Sequence, residues 1–159
     1  MLGVWPATEV KQLPPVRVAY VVRQGPYDSL AEAFHELCAR VKAQGMTVVG
    51  PPVLVYRSHP EGVPPAFREW ELQLPVAGEA TGGEENALPV KELPARVVVA
   101  TGSRGGYTTV GGLLPALFQV AYSRGYRLAG PAEEVYPDDF SRVPLGEVLT
   151  EVRFPVAVR

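Results

Sequence analysis

The residues best suited to do chemistry are a carboxylate and a phenol two positions apart, Glu134 and Tyr136. Residues at this spacing share one face of a strand. Eighty positions earlier, Leu54 and Tyr56 keep the spacing but replace the carboxylate with an apolar group. A cation about 4 Å from a carboxylate gains about 4 kcal/mol at an effective dielectric constant near 20, and each nearby aromatic face adds roughly 0.5–2 kcal/mol. Glu134 is therefore a candidate cation site, although a lone glutamate on a strand is more often solvated, as we expect for Glu133 on the opposite face.

Further aromatic residues are candidates for the walls of such a site. Trp70 and Tyr20 align with Thr150 and Ala100 in the other half, so both depart from the repeat. A tryptophan on an alternating strand is more often part of the core. The tyrosine pairs Tyr27/Tyr107 and Tyr56/Tyr136 obey the repeat, so their default role is structural. The candidate ligand-binding set is Glu134, Tyr136, Tyr20, Trp70, Tyr107, Tyr56 and Phe67.

Other site chemistries have no signature in this chain. His35 and His59 lack ligand spacing with Cys38, so we expect no metal site. The glycine-rich run at 102–106 has neither the spacing nor the lysine of a phosphate-binding loop, and no serine lies in a G-x-S-x-G motif. We expect no cofactor, and no catalytic residue unless Glu134 serves as the base of a hydrolase.

The elements that position these residues occur twice. When residues 10–79 are laid on 90–159 without a gap, 19 of the 70 positions are identical, and many of these are glycine, proline or tyrosine. Two copies are too few for a solenoid. We therefore predict one domain made of two pseudo-symmetric halves with a cleft between them. The predicted boundaries are 1–159 for the domain, 9–77 and 89–159 for the halves, and 78–88 for an acidic linker.

Each half is predicted to run strand, helix, strand, strand. In the first half, Ser29 and Glu32 have the spacing of a capping box that would start the helix, and Gly45 would end it. Its apolar stripe is Leu30, Phe34, Leu37, Cys38 and Val41. The second helix is expected to start late or kink, with Pro115 near its first position and its end near Ser123.

The composition restricts the partners. A net charge of −2 over 159 residues gives no basis for direct nucleic-acid binding. No apolar run approaches the ~18 residues that span a bilayer, and the N-terminus lacks the features of a signal peptide. We therefore expect a cytoplasmic protein without a membrane partner.

The ordered set of motifs resembles the GyrI-like small-molecule-binding, or effector-binding, domain over about residues 9–157. The first half carries L-P, V-R-V-A-Y-V-V-R-Q-G-P-Y, G-P, Y and L-P-V, and the second carries L-P, V-V-V-A-T-G, G-x-Y, G-P, E-x-Y and F-P-V. The resemblance implies an α+β fold with two main helices and a duplicated strand-helix-strand-strand unit. Its antiparallel sheet would surround or cradle a central cleft.

Similar domains are the C-terminal sensors of multidrug-responsive transcription activators, in which an acidic residue of the E-x-Y strand and aromatic side chains receive lipophilic cations. That residue matches Glu134, with Tyr136 beside it. The chain departs from the family pattern at Gly106, where proline is usual, and at Thr101 and Ser103, where a larger residue often precedes the turn.

The leading hypothesis is a stand-alone bacterial effector-binding, sensor or sequestration protein that takes a lipophilic cationic or polyaromatic molecule and is not an enzyme. Members similar to this chain also suggest two alternatives. One is a hydrolase of cyclopropane-bearing toxins with Glu134 as general base. The other is an inhibitor that interacts with DNA gyrase or a separate regulator protein.

Overall fold

The computed structural model describes residues 8–58, 62–79, 87–104, 110–136 and 149–159. Its strands are β1 (Glu9–Leu13), β2 (Val16–Gln24), β3 (Thr47–Val48), β4 (Val53–Tyr56), β5 (Glu69–Ala77), β6 (Val90–Leu93), β7 (Arg96–Arg104), β8 (Tyr126–Leu128), β9 (Glu133–Val135) and β10 (Leu149–Val158). Its α-helices are α1 (Leu30–Ala43) and α2 (Val110–Ser123), with 3₁₀ turns at Tyr27–Ser29 and Pro65–Phe67. The predicted α+β class is confirmed.

The strands form one antiparallel sheet in the order β1-β7-β10-β9-β4-β5-β2-β6, with β3 beside β5 and β8 beside β10. Strands β4 and β9 join the two halves at its centre. Each half also contributes its first strand to the other, because β1 pairs with β7 and β6 with β2. The elements predicted from the sequence do not include β1, β6 or the short strands β3 and β8.

The sheet must curl, because β1 and β2 are six places apart in it and yet are joined by only two residues. Six flat strand spacings would span roughly 29 Å, whereas the chain from Leu13 to Val16 reaches at most about 11 Å. The connection from Leu93 to Arg96 imposes the same constraint in the second half. We call these two connections the crossovers, and together they bend the sheet into a half-barrel.

The pairing at the centre is symmetric about one residue pair. Leu54 lies opposite Glu134, Val53 opposite Val135 and Val55 opposite Glu133. In the eighty-residue repeat, Val53 corresponds to Glu133 and Val55 to Val135. The symmetry therefore exchanges the last two pairs. The flanking hydrogen bonds, Tyr56 N to Ala132 O and Tyr136 N to Pro52 O, have the same length of 3.0 Å. A local twofold axis therefore passes between Leu54 and Glu134.

Helix α1 packs on the sheet through the predicted stripe. Leu30, Leu37 and Val41 are buried, and Gly45 follows the helix with a φ of +76°. The capping box is not formed, because the Ser29 hydroxyl donates to Pro26 O (3.3 Å) and makes no cap hydrogen bond. A 3₁₀ turn already precedes Leu30, so the chain enters the helix through this turn.

Helix α2 differs from its prediction at proline. Pro115 lies inside the helix, five residues after Val110, and not near its first position. The helix also includes Gly111 and Gly112, which we expected to delay its start. Its predicted end at Ser123 is confirmed.

The two faces of the sheet have different contents. The helix face packs under α1 and α2 and carries the main core, which includes Leu54, Leu72 and Val152. The opposite face, which we call the crossover face, carries Val53, Val55, several charged residues and the two crossovers.

The predicted linker lies partly outside the described residues. At its end, Leu88 is buried in the core, and its N–H donates to the Oε1 atom of Gln44 (3.0 Å). The last part of this segment is therefore packed against α1. Neither described helix is long and apolar enough to cross a membrane.

Candidate functional site

Glu134 lies at the centre of the helix face. Its strand, β9, is held between β4 and β10, where Glu134 faces Leu54 and Val152. Both neighbours belong to the core, and none of the Glu134 surface is exposed. The carboxylate thus occupies a position where the symmetry of the fold places a leucine.

Tyrosine hydroxyls supply the polar contacts of this carboxylate. The Tyr56 hydroxyl donates a hydrogen bond to Glu134 Oε2, and the Tyr136 hydroxyl also favours the charged form of the carboxylate. Glu134 Oε1 is buried and has no partner of normal hydrogen-bond geometry among the described residues. No lysine or arginine among the described residues forms an ion pair with Glu134, so no fixed cation in this part of the chain compensates its negative charge.

Burial raises the pKa of Glu134 to about 7, and the hydrogen bonds from Tyr56 and Tyr136 oppose part of this rise. The pKa of Tyr56 is raised well above its usual value, first by burial and then by the adjacent carboxylate. Near neutral pH the site can therefore hold either a proton on Glu134 or a carboxylate beside a bound cation.

Two aromatic rings extend the site beyond these tyrosines. Tyr27 packs edge-on against Tyr56, with ring centroids 5.3 Å apart, and against Trp70 at 6.4 Å. Trp70 is fully buried, and its Nε1–H donates to Gly25 O (3.2 Å). Glu134 contributes to the raised pKa of Tyr27, after burial as the main cause. We call Glu134 and the aromatic residues Tyr27, Tyr56, Trp70 and Tyr136 the carboxylate cage.

Tyr27 is absent from the candidate set predicted from the sequence, because a tyrosine that obeys the repeat is first expected to be structural. Tyr27 is the first residue of the 3₁₀ turn that precedes α1. The same residue therefore helps to fix the backbone before the helix and places its ring at the site. The available signal was its repeat partner Tyr107, which had been included. Tyr107 itself lies outside the described residues.

The structure does not bring Tyr20 or Phe67 to the cage. Tyr20 pairs with Gln73 and lies on the crossover face, where Lys91 Nζ sits 4.2 Å from its ring centroid. Phe67 belongs to the second 3₁₀ turn and is 64% exposed. Both assignments to a common cleft with Glu134 are therefore corrected.

Glu133 also differs from expectation, because it is buried and not solvated. Its carboxylate accepts two hydrogen bonds from the Arg96 guanidinium, in a bidentate arrangement, and a third from Arg153 Nε at 2.9 Å. These two guanidinium groups neutralise it on the crossover face. Sequence alternation placed its side chain on the correct face but could not show that this face is covered.

The family follows from a comparison with known families. The model of the GyrI-like small molecule binding domain matches residues 6–157. This chain belongs to the GyrI-like family. The match covers both halves of the sheet and includes the whole carboxylate cage.

Solved structures show that the GyrI-like fold of this chain recurs at low sequence identity. The EcmrR C-terminal domain aligns over 100% of both chains, with 21% identity and a TM-score of 0.80. A hydrolase from Listeria innocua aligns over 94% of this chain and 91% of its own, with 15% identity and a TM-score of 0.70. SAV2435 bound to tetraphenylphosphonium aligns over 96% and 94%, with 13% identity and a TM-score of 0.56. No curated protein matches the chain.

The chemistry of this GyrI-like cage is that of a charged, aromatic-walled site. Among the described residues, no group of three His, Cys, Asp or Glu side chains is placed to hold a metal ion. The cage offers a carboxylate, phenol hydroxyls and ring faces. These groups can bind a cation or move a proton at Glu134.

Proposed function

We propose that this protein binds a lipophilic, cationic or polyaromatic small molecule at the carboxylate cage between its two halves. The observation that carries the proposal is the burial of Glu134 beside the twofold axis, with tyrosine hydroxyls near its carboxylate and no cation paired to it among the described residues. A bound cation would supply the missing charge, and the rings would enclose its apolar body. The small-molecule-binding description of the family supports the same conclusion.

The biological role that fits such binding is that of an effector-binding or sequestration protein in the bacterial cytoplasm. Glu134 would provide the charge selectivity, and Tyr27, Tyr56, Tyr136 and Trp70 would provide the apolar contacts. Tyr107 stays a predicted wall residue. The two halves, 9–77 and 89–159, would act as one domain with the ligand at their junction.

A pair of ions of similar shape and opposite charge tests the proposal. Tetraphenylphosphonium, the ligand of SAV2435, should bind saturably in calorimetry at pH 7.5, whereas tetraphenylborate should not. Glu134→Gln should weaken tetraphenylphosphonium binding by about 10–100-fold, since it removes a hydrogen-bonding charged partner worth about 1.5–3 kcal/mol.

The matched control is Glu36→Gln, which neutralises a half-exposed glutamate on α1 and should leave the affinity unchanged. Equal affinity for tetraphenylphosphonium in wild type and Glu134→Gln would remove the charge role. Equal binding of the two ions by the wild type would remove the proposed charge selectivity.

The pH dependence gives a second check. Because the empty site holds a proton on Glu134 below a pKa of about 7, a cation must displace that proton at lower pH. Tetraphenylphosphonium affinity should therefore rise about tenfold from pH 6 to pH 8 and then level off. The Glu134→Gln variant should show a flat profile over this range.

A hydrolase is the second candidate, and the pKa of Glu134 is the observation that favours it. A carboxylate with a pKa of about 7 is suited to act as a general base near neutral pH. Turnover of an electrophilic cyclopropane substrate that is lost in Glu134→Gln would support this activity. One-to-one binding of such a compound without product would contradict it.

Interaction with DNA gyrase or a regulator protein stays a prediction. A pull-down from a bacterial lysate that enriches neither would contradict it.

A further inference from the structure

On the crossover face, the two halves also differ at equivalent positions, and these positions are separate from the carboxylate cage. In the second half, Arg96, Glu133 and Arg153 form one cluster of ion pairs. At an offset of eighty residues their equivalents are Val16, Val53 and Gln73. Three charged side chains are thus replaced by two valines and one amide.

These three equivalents line a cavity. Its volume is about 210 Å³, and Val16, Val53 and Gln73 contribute to its wall together with Val18 and Val135. An apolar cavity of about 150 Å³ accommodates a benzene ring. The cavity on the crossover face therefore has room for one aromatic ring with small substituents.

Gln73, which lines this cavity, carries an unused hydrogen-bond acceptor. Its Nε2 donates to Glu71 Oε2 (2.6 Å), which fixes the orientation of the amide. The Gln73 side chain is buried, with 4% of the residue exposed, and its Oε1 accepts no hydrogen bond from any described residue. A buried acceptor of this kind is costly unless a donor reaches it.

The charged side chains in the cavity wall are both arginines, Arg96 and Arg153. Glu133 lies between them but balances only one of their two positive charges. Arg153 also approaches Glu151 (3.6 Å), which is itself paired with Lys11 (3.0 Å). The cluster of these five side chains carries a formal charge of +1 and is suited to an anion.

We infer that this cavity is a second binding site, which takes a one-ring aromatic acid that also carries a hydrogen-bond donor. The ring would pack among the valines, the donor would reach Gln73 Oε1, and the carboxylate would face Arg96 and Arg153. The site is on the opposite face of the sheet from Glu134 and does not depend on the proposed function there.

A calorimetric series at pH 7.5 tests this site. The probes are 3-hydroxybenzoate and 4-hydroxybenzoate, with benzoate lacking the donor and tyramine reversing the charge. At least one hydroxybenzoate should bind saturably, benzoate should bind about tenfold more weakly because one hydrogen bond is lost, and tyramine should not bind.

Gln73→Met separates recognition from a merely structural effect. It removes the acceptor at nearly constant volume, so it should lower hydroxybenzoate affinity to that of benzoate and leave benzoate affinity unchanged. Val16→Phe should fill the cavity and weaken both acids. Circular dichroism checks that each variant folds.

Two results of the hydroxybenzoate measurements would overturn the inference. One is the absence of saturable hydroxybenzoate binding by the wild type up to about 10 mM, a concentration at which even a millimolar site is occupied. The other is an equal loss of hydroxybenzoate and benzoate affinity in folded Gln73→Met. Tight binding of tyramine would contradict the assigned charge.

Discussion

Glu133 and Glu134 are neighbours in sequence and both are buried, with 3% and 0% of their surfaces exposed, yet their surroundings are opposite. Glu133 points to the crossover face, where Arg96 and Arg153 compensate its charge. Glu134 points to the helix face, where its polar contacts among the described residues are tyrosine hydroxyls and its pKa rises to about 7.

The difference separates a structural carboxylate from a candidate functional one. A buried ion is tolerated when a fixed counter-ion accompanies it, and the protein itself supplies that ion to Glu133. No described residue supplies a counter-ion to Glu134, so we expect its compensation to come from a proton or from a ligand. Burial alone therefore does not identify a candidate functional carboxylate. What distinguishes Glu134 is that no lysine or arginine among the described residues lies beside its buried charge.

The largest expected effect is the loss of stability when Glu133, the carboxylate paired with arginines, is neutralised. Glu133→Gln should lower the free energy of unfolding by about 3 kcal/mol, because it removes the carboxylate that both Arg96 and Arg153 contact in a mostly buried cluster. Urea unfolding measures the change. Glu36→Gln, at an exposed ion pair with Arg23, is the control and should cost no more than about 1 kcal/mol. A similarly small loss in Glu133→Gln would mean that the two arginines are compensated in another way.

The next effect is a pH dependence that Glu134 imposes on stability. The folded protein keeps the Glu134 proton up to a pKa of about 7, whereas an unfolded glutamate loses it near 4.5. The contribution of Glu134 to the free energy of unfolding is therefore full below pH 4.5, and about 3 kcal/mol of it is lost as the pH rises to 7.

The difference between wild type and Glu134→Gln in urea unfolding isolates this contribution. Subtraction cancels the titration of the other carboxylates, so the wild type should lose stability relative to the variant between pH 4.5 and 7. A difference that stays constant over this range would show that Glu134 titrates normally.

The smallest effect concerns the hydroxyl that meets Glu134. Tyr56→Phe removes a hydrogen bond that lowers the pKa of Glu134, so that pKa should rise further. Tetraphenylphosphonium affinity at pH 7.5 should fall about fivefold, as expected from about 1 kcal/mol. Tyr20→Phe is the control, since Tyr20 lies on the crossover face. Equal effects of the two variants would contradict a specific role for the Tyr56 hydroxyl.

Much of the fold could be predicted because the repeat marks positions that fix the backbone. Gly50 and Gly130 show why, since a Cβ at either would approach Pro75 or Pro155 to 3.0 Å, and all four residues are conserved between the halves. The same register isolated Glu134 as the counterpart of Leu54. The structure adds that these two residues face each other at the junction of the halves.

The remaining features depend on contacts between distant segments. Strands β1 and β6 exist because each pairs with the opposite half, and no local pattern reports that pairing. Alternation predicts which face a side chain takes but not whether that face is covered, so Glu133 was expected in solvent. Pro115 is accommodated within α2, contrary to its intrinsic preference for a helix start.

The most direct measurement is a carbon-detected NMR titration of the Glu134 carboxyl group, with and without saturating tetraphenylphosphonium. We expect a pKa of about 7 for Glu134 in the ligand-free protein and a marked fall when the cation binds, since a nearby positive charge favours the carboxylate. A pKa near 4.5 in the ligand-free protein, or one that does not change with the cation bound, would contradict this expectation.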